Sequence, residues 1–389
     1  MKFVRRTMLL LGIWPIKAQG FTKRFYETYF WITFAYYIAF NISGLTMAML
    51  TWSHNYLITA NSMAIVIEYV SNAYKVLLLK SQTFKDLLHE IADSERNIFD
   101  SNDRDFTDIY AKNTEKNRKI VLFYTIMGTT GISLYFITPL VSNAVTPLGF
   151  NNDTGVVNHH FIIFSWFPFD PDRHYSAAYL IQFTGCLFGY SYIVHCGAFY
   201  LSILTFIAAK LKILQHLFVH FSKYSRQMEN AYELNEEQAQ FVLLRLLIQE
   251  HSKIIDFVKR TNNCIKLYTL INFLVSSFQL SLVAYQIFKL PPLQQVTVFS
   301  YFITLITQLI LNYQAAHAIS IESQNLAGSI FKGDWHSYSP KILRILQLVC
   351  MRAQKPLAMT LHSFANVQVN LLIKIFKALY SYICLILKT

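Results

Sequence analysis

Basic residues fill every second gap between the apolar stretches of this chain and are almost missing from the other gaps. The apolar stretches number seven, at 30–52, 56–79, 120–146, 176–209, 267–288, 296–320 and 357–387. Of 34 Lys and Arg residues, 28 lie in the N-terminal segment and in the gaps after the second, fourth and sixth spans, which run Lys80–Lys119, Lys210–Lys266 and Lys332–Lys355. The remaining gaps and the C-terminus carry only Arg173, Lys289 and Lys388, and Lys75, Lys374 and Lys377 lie inside spans. Loops rich in Lys and Arg stay in the cytoplasm. Seven crossings therefore place the N-terminus inside and the C-terminus outside. The first span runs from Phe30 to Trp52 without one charge, and about 20 apolar residues suffice to cross a bilayer as a helix. The expectation is an all-α membrane protein, with one seven-helix membrane domain over 1–389.

Composition agrees. The chain is 54% hydrophobic and 14% charged, against roughly 25% charged in soluble domains. A net charge of +12 raises the question of nucleic acid. The basic residues are spread over four segments and mixed with acids, nine of them between Asp86 and Glu115. That distribution suits orientation and contact with an anionic lipid bilayer, and excludes nucleic acid as a partner. Asn152-Asp153-Thr154 is a glycosylation sequon in the gap after span three, on the side expected to be outside. The N-terminal MKFVRRTMLLLGIWPIK is interrupted by Pro15 and Lys17 and reads as a retained cytoplasmic segment rather than a signal peptide.

Enzyme signatures are missing. No phosphate-binding glycine loop, H-E-x-x-H or G-x-S-x-G elbow occurs. No catalytic residue and no cofactor is expected. His159-His160 lacks a second ligand pair, and the five cysteines (Cys186, Cys196, Cys264, Cys350, Cys384) form no C-x-x-C pair, so no metal site is expected.

The basic gaps have helical periodicity. Phe84, Leu87, Leu88 and Ile91 form one stripe, Leu211, Leu214, Leu217 and Phe218 a second, and Phe241, Leu244, Leu247 and Ile248 a third. Spans four and five are expected to run on into the cytoplasm, where 80–119, 210–266 and 321–356 build an anchor. Apolar stripes in water must be covered, by self-packing, by another subunit, or by both. In the gap after span three, Trp166-Phe167-Pro168-Phe169-Asp170-Pro171-Asp172 reads either as an ordered lid or as an interfacial aromatic belt.

Charges inside spans are costly in lipid. Glu68 and Lys75 share one helical face about 10 Å apart along the axis, too far for a direct pair, and Lys75 is expected to snorkel. His195 reads as a satisfied buried histidine or a ligand sensor. Span seven is the most polar, with Asn366, Gln368, Asn370, Lys374, Lys377, Ser381 and Tyr382 followed by apolar Ile383–Leu387. Such a helix either faces a water path that ends in a hydrophobic gate or packs with its polar groups inside the bundle.

Three segments carry a family resemblance. They are FPFDPDRHYSAAYLIQF from Phe167 to Phe183, GDWHSYSPKILRILQLVCMRAQKPL from Gly333 to Leu357, and ALYSYICLILKT from Ala378 to Thr389. Together they resemble the insect odorant receptors over nearly the whole chain. The resemblance implies an odorant-binding subunit of a ligand-gated, non-selective cation channel. It would sit in the plasma membrane of sensory neurons, in a heterotetramer with a shared co-receptor. It also implies a central pore for cations lined by the last helix. Aligned on Tyr382, the gate position is Leu385, with Ser381, Tyr382 and Lys388 nearby. A pocket for a small volatile is implied in the outer half of the bundle, with Tyr69, Ala73, Tyr135, Thr138, Phe188, Tyr192, Phe278, Tyr285, Tyr301 and Leu305 as candidates. Related gustatory receptors end in a different motif, and G-protein-coupled receptors have the reverse topology. A homomeric gustatory-type channel and a seven-helix G-protein receptor are the rival readings.

Overall fold

The computed structural model describes residues 2–16, 20–54, 56–101, 103–145, 150–151, 156–157, 159–362 and 365–386. The fold is all-α, as expected. The helices are α1 (Lys2–Leu10), α2 (Phe21–Thr51), α3 (Tyr56–Lys80), α4 (Gln82–Asp100), α5 (Arg104–Val145), α6 (Tyr175–Val219), α7 (Phe221–Tyr232), α8 (Glu236–Lys289), α9 (Pro292–Ile330), α10 (Pro340–Ala353) and α11 (Val369–Ile386). Two short hairpins join them, β1 (Phe150–Asn151) with β2 (Val156–Val157), and β3 (Thr360–Leu361) with β4 (Ala365–Asn366). Among the described residues, α2, α3, α5, α6, α8 and α9 are long and apolar enough to cross a membrane. The described part of α11 has 18 residues, roughly 27 Å at the helical rise, and makes the seventh.

Several of these helices are longer than a bilayer requires, and α5, α6 and α8 run on into the basic segments. Helix α8 has 54 residues, roughly 80 Å long, against a hydrocarbon core of about 30 Å. Its start is fixed by a capping box. The Asn235 side chain accepts from Gln238 N, and the Gln238 side chain accepts from Asn235 N. Ser81 caps α4 by accepting from Phe84 N. Helix α4 buries Phe84, Leu87, Leu88 and Ile91 as its periodicity predicts. The expected stripe on α8 is off by part of a turn. Leu244 and Leu247 are buried, but Phe241 and Ile248 face outward, because the packed face runs through Leu243, Leu247, His251 and Ile254. Ion pairs join the basic segments, with Arg260 Nη2 2.7 Å from Glu90 Oε2 and Lys223 Nζ 2.7 Å from Asp105 Oδ2.

Helix α6 is the axis of the bundle and packs on α1, α2, α3, α5, α8 and α9. Small residues along it, including Gly185, Gly189 and Gly197, let neighbours approach closely. The seventh apolar span, 357–387, is helical only from Val369. Its first part is the β3–β4 hairpin, clamped to α8 and α9. Asn262 Nδ2 donates to Thr360 Oγ1 at 2.9 Å, and Asn262 Oδ1 accepts from Thr360 N at 2.9 Å. Ser320 Oγ donates to Leu357 O at 2.8 Å.

Candidate ligand-binding cavity

At the end opposite the basic segments, the loop 159–174 closes the bundle. Gln182, buried on α6, pins it. Its Oε1 accepts from Ile162 N at 2.9 Å, and its Nε2 donates to Ile163 O at 2.8 Å and Ser165 Oγ at 2.7 Å. Asn143 on α5 accepts from His160 N at 2.7 Å. Trp166 N donates to Ser43 O on α2, and Ser62 Oγ on α3 to Phe164 O. Residues 160–166 are thus an ordered cap, with Ile162 and Ile163 buried in it, while Trp166, at the start of the Trp166–Asp172 run, stays exposed at its rim.

Under Ile163 lies a cavity of about 100 Å³ between α3, α5, α6 and α9. Each helix contributes one stripe. Ile65, Glu68 and Tyr69 come from α3; Tyr124, Gly128, Gly131, Ile132 and Tyr135 from α5; Cys186, Tyr190, Ile193 and Val194 from α6; Tyr301, Thr304, Leu305 and Gln308 from α9. Their spacing of three, four and seven is the contact period of a helix face. The wall is mostly aromatic and apolar, with few polar groups, as pockets for small molecules are. Tyr135 meets Tyr301 edge-on with ring centroids 6.0 Å apart. The Tyr301 hydroxyl accepts from Gln279 Nε2 on α8. The Tyr190 hydroxyl is 2.5 Å from Thr129 Oγ1.

Of the ten expected pocket residues, Tyr69, Tyr135, Tyr301 and Leu305 line this cavity. Six do not: Phe188 and Tyr192 are rotated off the wall, Ala73 and Thr138 lie a turn beyond it along α3 and α5, and Phe278 and Tyr285 sit on α8, which contributes nothing to the wall. Tyr192 turns toward α2, where its hydroxyl is 3.2 Å from Thr33 Oγ1 and its ring is edge-on to Tyr37. Phe188 packs edge-on against Tyr36. Thr138 pairs with Thr297 Oγ1 at 2.5 Å. Ala73 is buried outside the cavity wall, Tyr285 is half-buried away from it, and Phe278 faces outward. Sequence reasoning missed Glu68 and Tyr124 as wall residues. The signal was present in the run Tyr124, Gly128, Gly131, Tyr135, one face of one helix.

His195 Nδ1 lies 2.8 Å from Ser191 O in its own helix and is outside the cavity wall, so the satisfied-histidine reading is the one observed. Lys75 does not snorkel. It is 3% exposed, with Nζ 4.9 Å from the centre of the Tyr268 ring, a cation–π contact. On α11, Leu372, Ile375 and Leu379 face the bundle, while Asn370, Lys374, Lys377 and Ser381 are exposed. Asn152 and Lys388, and the side chains of Tyr382 and Leu385, lie outside the described residues.

The fold defines a multi-pass helical membrane protein with a cavity between its spans, and the comparisons make this specific. Residues 49–380 match the 7tm Odorant receptor family. The chain belongs to the insect odorant receptor family. Odorant receptor 67c of Drosophila melanogaster is 24% identical over 72% of this chain and 67% of its own length. Odorant receptor 10 of Aedes albopictus is 27% identical over 54% and 55%, and putative odorant receptor 92a of Drosophila melanogaster 25% over 70% and 65%. The match thus spans about two thirds or less of these relatives. The olfactory receptor OR5 from Machilis hrabei, solved in complex with eugenol, has the same fold. Its TM-score is 0.80 at 14% identity, over 100% of this chain and 97% of that one.

Proposed function

We propose that this chain is the odorant-binding subunit of a ligand-gated, non-selective cation channel, assembled with a co-receptor as a heterotetramer in the plasma membrane of sensory neurons. The observation that carries the channel reading is α11. It buries one apolar face and leaves Lys374, Lys377, Asn370 and Ser381 uncovered. Two lysines facing lipid are costly near the bilayer centre, whereas a water-filled path between subunits accommodates them. The cavity beneath the lid is the proposed odorant site, just as the Machilis hrabei receptor forms a complex with eugenol. A bound ligand shifts the population toward the open bundle through its differential affinity, and the motion reaches α11 through the β3–β4 hairpin. By the family resemblance the gate falls to Leu385, with Ser381, Tyr382 and Lys388 near it in sequence, and closes by dewetting.

The test is co-expression with the co-receptor, an odorant panel and whole-cell recording. Ligand-evoked cation current that needs both chains is expected. Robust current without the co-receptor would favour the homomeric gustatory-type reading. Epitope tags on intact cells test topology. An accessible C-terminus and a protected N-terminus are expected, and the reverse would return the chain to the G-protein receptor class.

A further inference from the structure

Glu68 is the one acidic side chain lining the cavity. It is 7% exposed and makes no hydrogen bond or ion pair among the described residues. Lys75, seven residues along α3, acts on Glu68 through its charge but forms no ion pair with it among the described residues, its ammonium being turned to Tyr268 and Tyr200. A second wall group is also unmet. The hydroxyl of Tyr124 is fully buried and has no partner among the described residues. A buried carboxyl or hydroxyl without a partner costs free energy, and an ionisable residue inside a membrane bundle ordinarily faces a partner or a ligand. Here both groups line one space of about 100 Å³, so a single small molecule reaches both.

Resting on the reading of this cavity as the odorant site, we propose that its ligand carries a hydrogen-bond-donating head, an alcohol or an amine, on a small apolar body. Glu68 accepts the ligand's O–H or N–H. The Tyr124 hydroxyl donates to the lone pair of an alcohol oxygen or a neutral amine, and the tyrosine rings and aliphatic side chains hold the body. A protonated amine is recognised by the carboxylate and the ring faces instead. Esters, aldehydes and hydrocarbons of the same shape leave Glu68 unmet. A site built to hydrogen-bond a ligand group rejects the analogue that lacks it far more strongly than an apolar slot rejects a missing methylene.

Four near-isosteric probes test this: benzyl alcohol, benzylamine, benzaldehyde and ethylbenzene. Binding is read as ligand-induced thermal stabilisation of the detergent-purified full chain, titrated with each probe. Current is read in parallel from the chain co-expressed with the co-receptor. Benzyl alcohol or benzylamine is expected to bind about tenfold or more tightly than benzaldehyde and ethylbenzene. Glu68→Leu is expected to remove that advantage and spare ethylbenzene. Glu68→Gln, which preserves shape, is expected to spare benzyl alcohol within a few-fold. If benzylamine is the favoured donor, Glu68→Gln is expected to weaken it. Equal affinity for all four probes, a ranking unchanged by Glu68→Leu, or failure of both donors to bind overturns the proposal. The expected ranking with no current in any assembly would uphold the ligand class while removing the channel reading. Current evoked equally by all four probes would do the opposite.

Discussion

Tyr69 reaches the cavity wall because residue 189 has no side chain. A Cβ on Gly189 would overlap the Tyr69 ring and hydroxyl, and Tyr69 cannot retreat because Tyr37 stacks on it at 5.2 Å. Gly189→Ala is therefore expected to lower stability by about 1–3 kcal/mol through overpacking, despite the better helix propensity of alanine. A thermal midpoint equal to or above that of the parent would refute the contact. A second residue-scale prediction concerns pH. His251 is buried on α8, and burial, reinforced by the Arg352 charge, lowers its pKa from 6.5 to about 4. Between those values the unfolded chain binds more protons than the folded one, so stability rises with pH across this window. It falls as pH drops from 6.5 toward 4, by at most about 1.4 kcal/mol per pH unit. Denaturant titrations at pH 4.5 and 7 should show a smaller loss in His251→Gln than in the parent. At this scale residue types were legible and orientations were not. Tyr135 and Tyr301 were recognisable as wall residues, whereas Tyr192 carries the same chemistry and faces α2.

Hydropathy identifies the spanning elements but does not say which is central. The most apolar 18-residue windows of α5 and α6 share a mean hydropathy of 1.7, yet 83% of the α6 window is buried against 22% for α5. Lipid and protein interior are both apolar, so hydropathy cannot separate them, and the glycines of α6 are the better sign. The apolar run 357–387 likewise concealed a hairpin, because Thr360 and Asn366 pair across it where periodicity showed only a hydrophobic segment. The lid carries the element-scale prediction. Gln182 satisfies backbone groups of Ile162 and Ile163, and each buried group left unpaired costs about 1–3 kcal/mol. Gln182→Leu should accelerate hydrogen exchange at residues 160–165 while leaving α8 near Asn235 unchanged. Unchanged exchange in the loop would mean that Asn143, Ser62 and Ser43 hold the lid without it.

The whole molecule has two unlike ends and one helix, α11, whose uncovered face carries Lys374 and Lys377. Phe241, Leu246, Leu348 and Met351 remain exposed in segments that lie beyond a bilayer's reach along α8 and α10, and an apolar surface in water calls for a partner. The basic gaps supply the helical segments at one of these ends. Their alternation could not show the rotation of α11, which sets Lys374 and Lys377 away from the chain's own core. That rotation is the basis on which a conduit shared between subunits is proposed, and the proposal is open to direct measurement. Single-channel conductance for monovalent cations should be recorded from the parent and from the double variant Lys374→Gln, Lys377→Gln, each co-expressed with the co-receptor. Removing two positive charges from a cation path is expected to raise the unitary conductance. A conductance identical to that of the parent, with the variant chain present in the assembly, would contradict the placement of α11 on the pore.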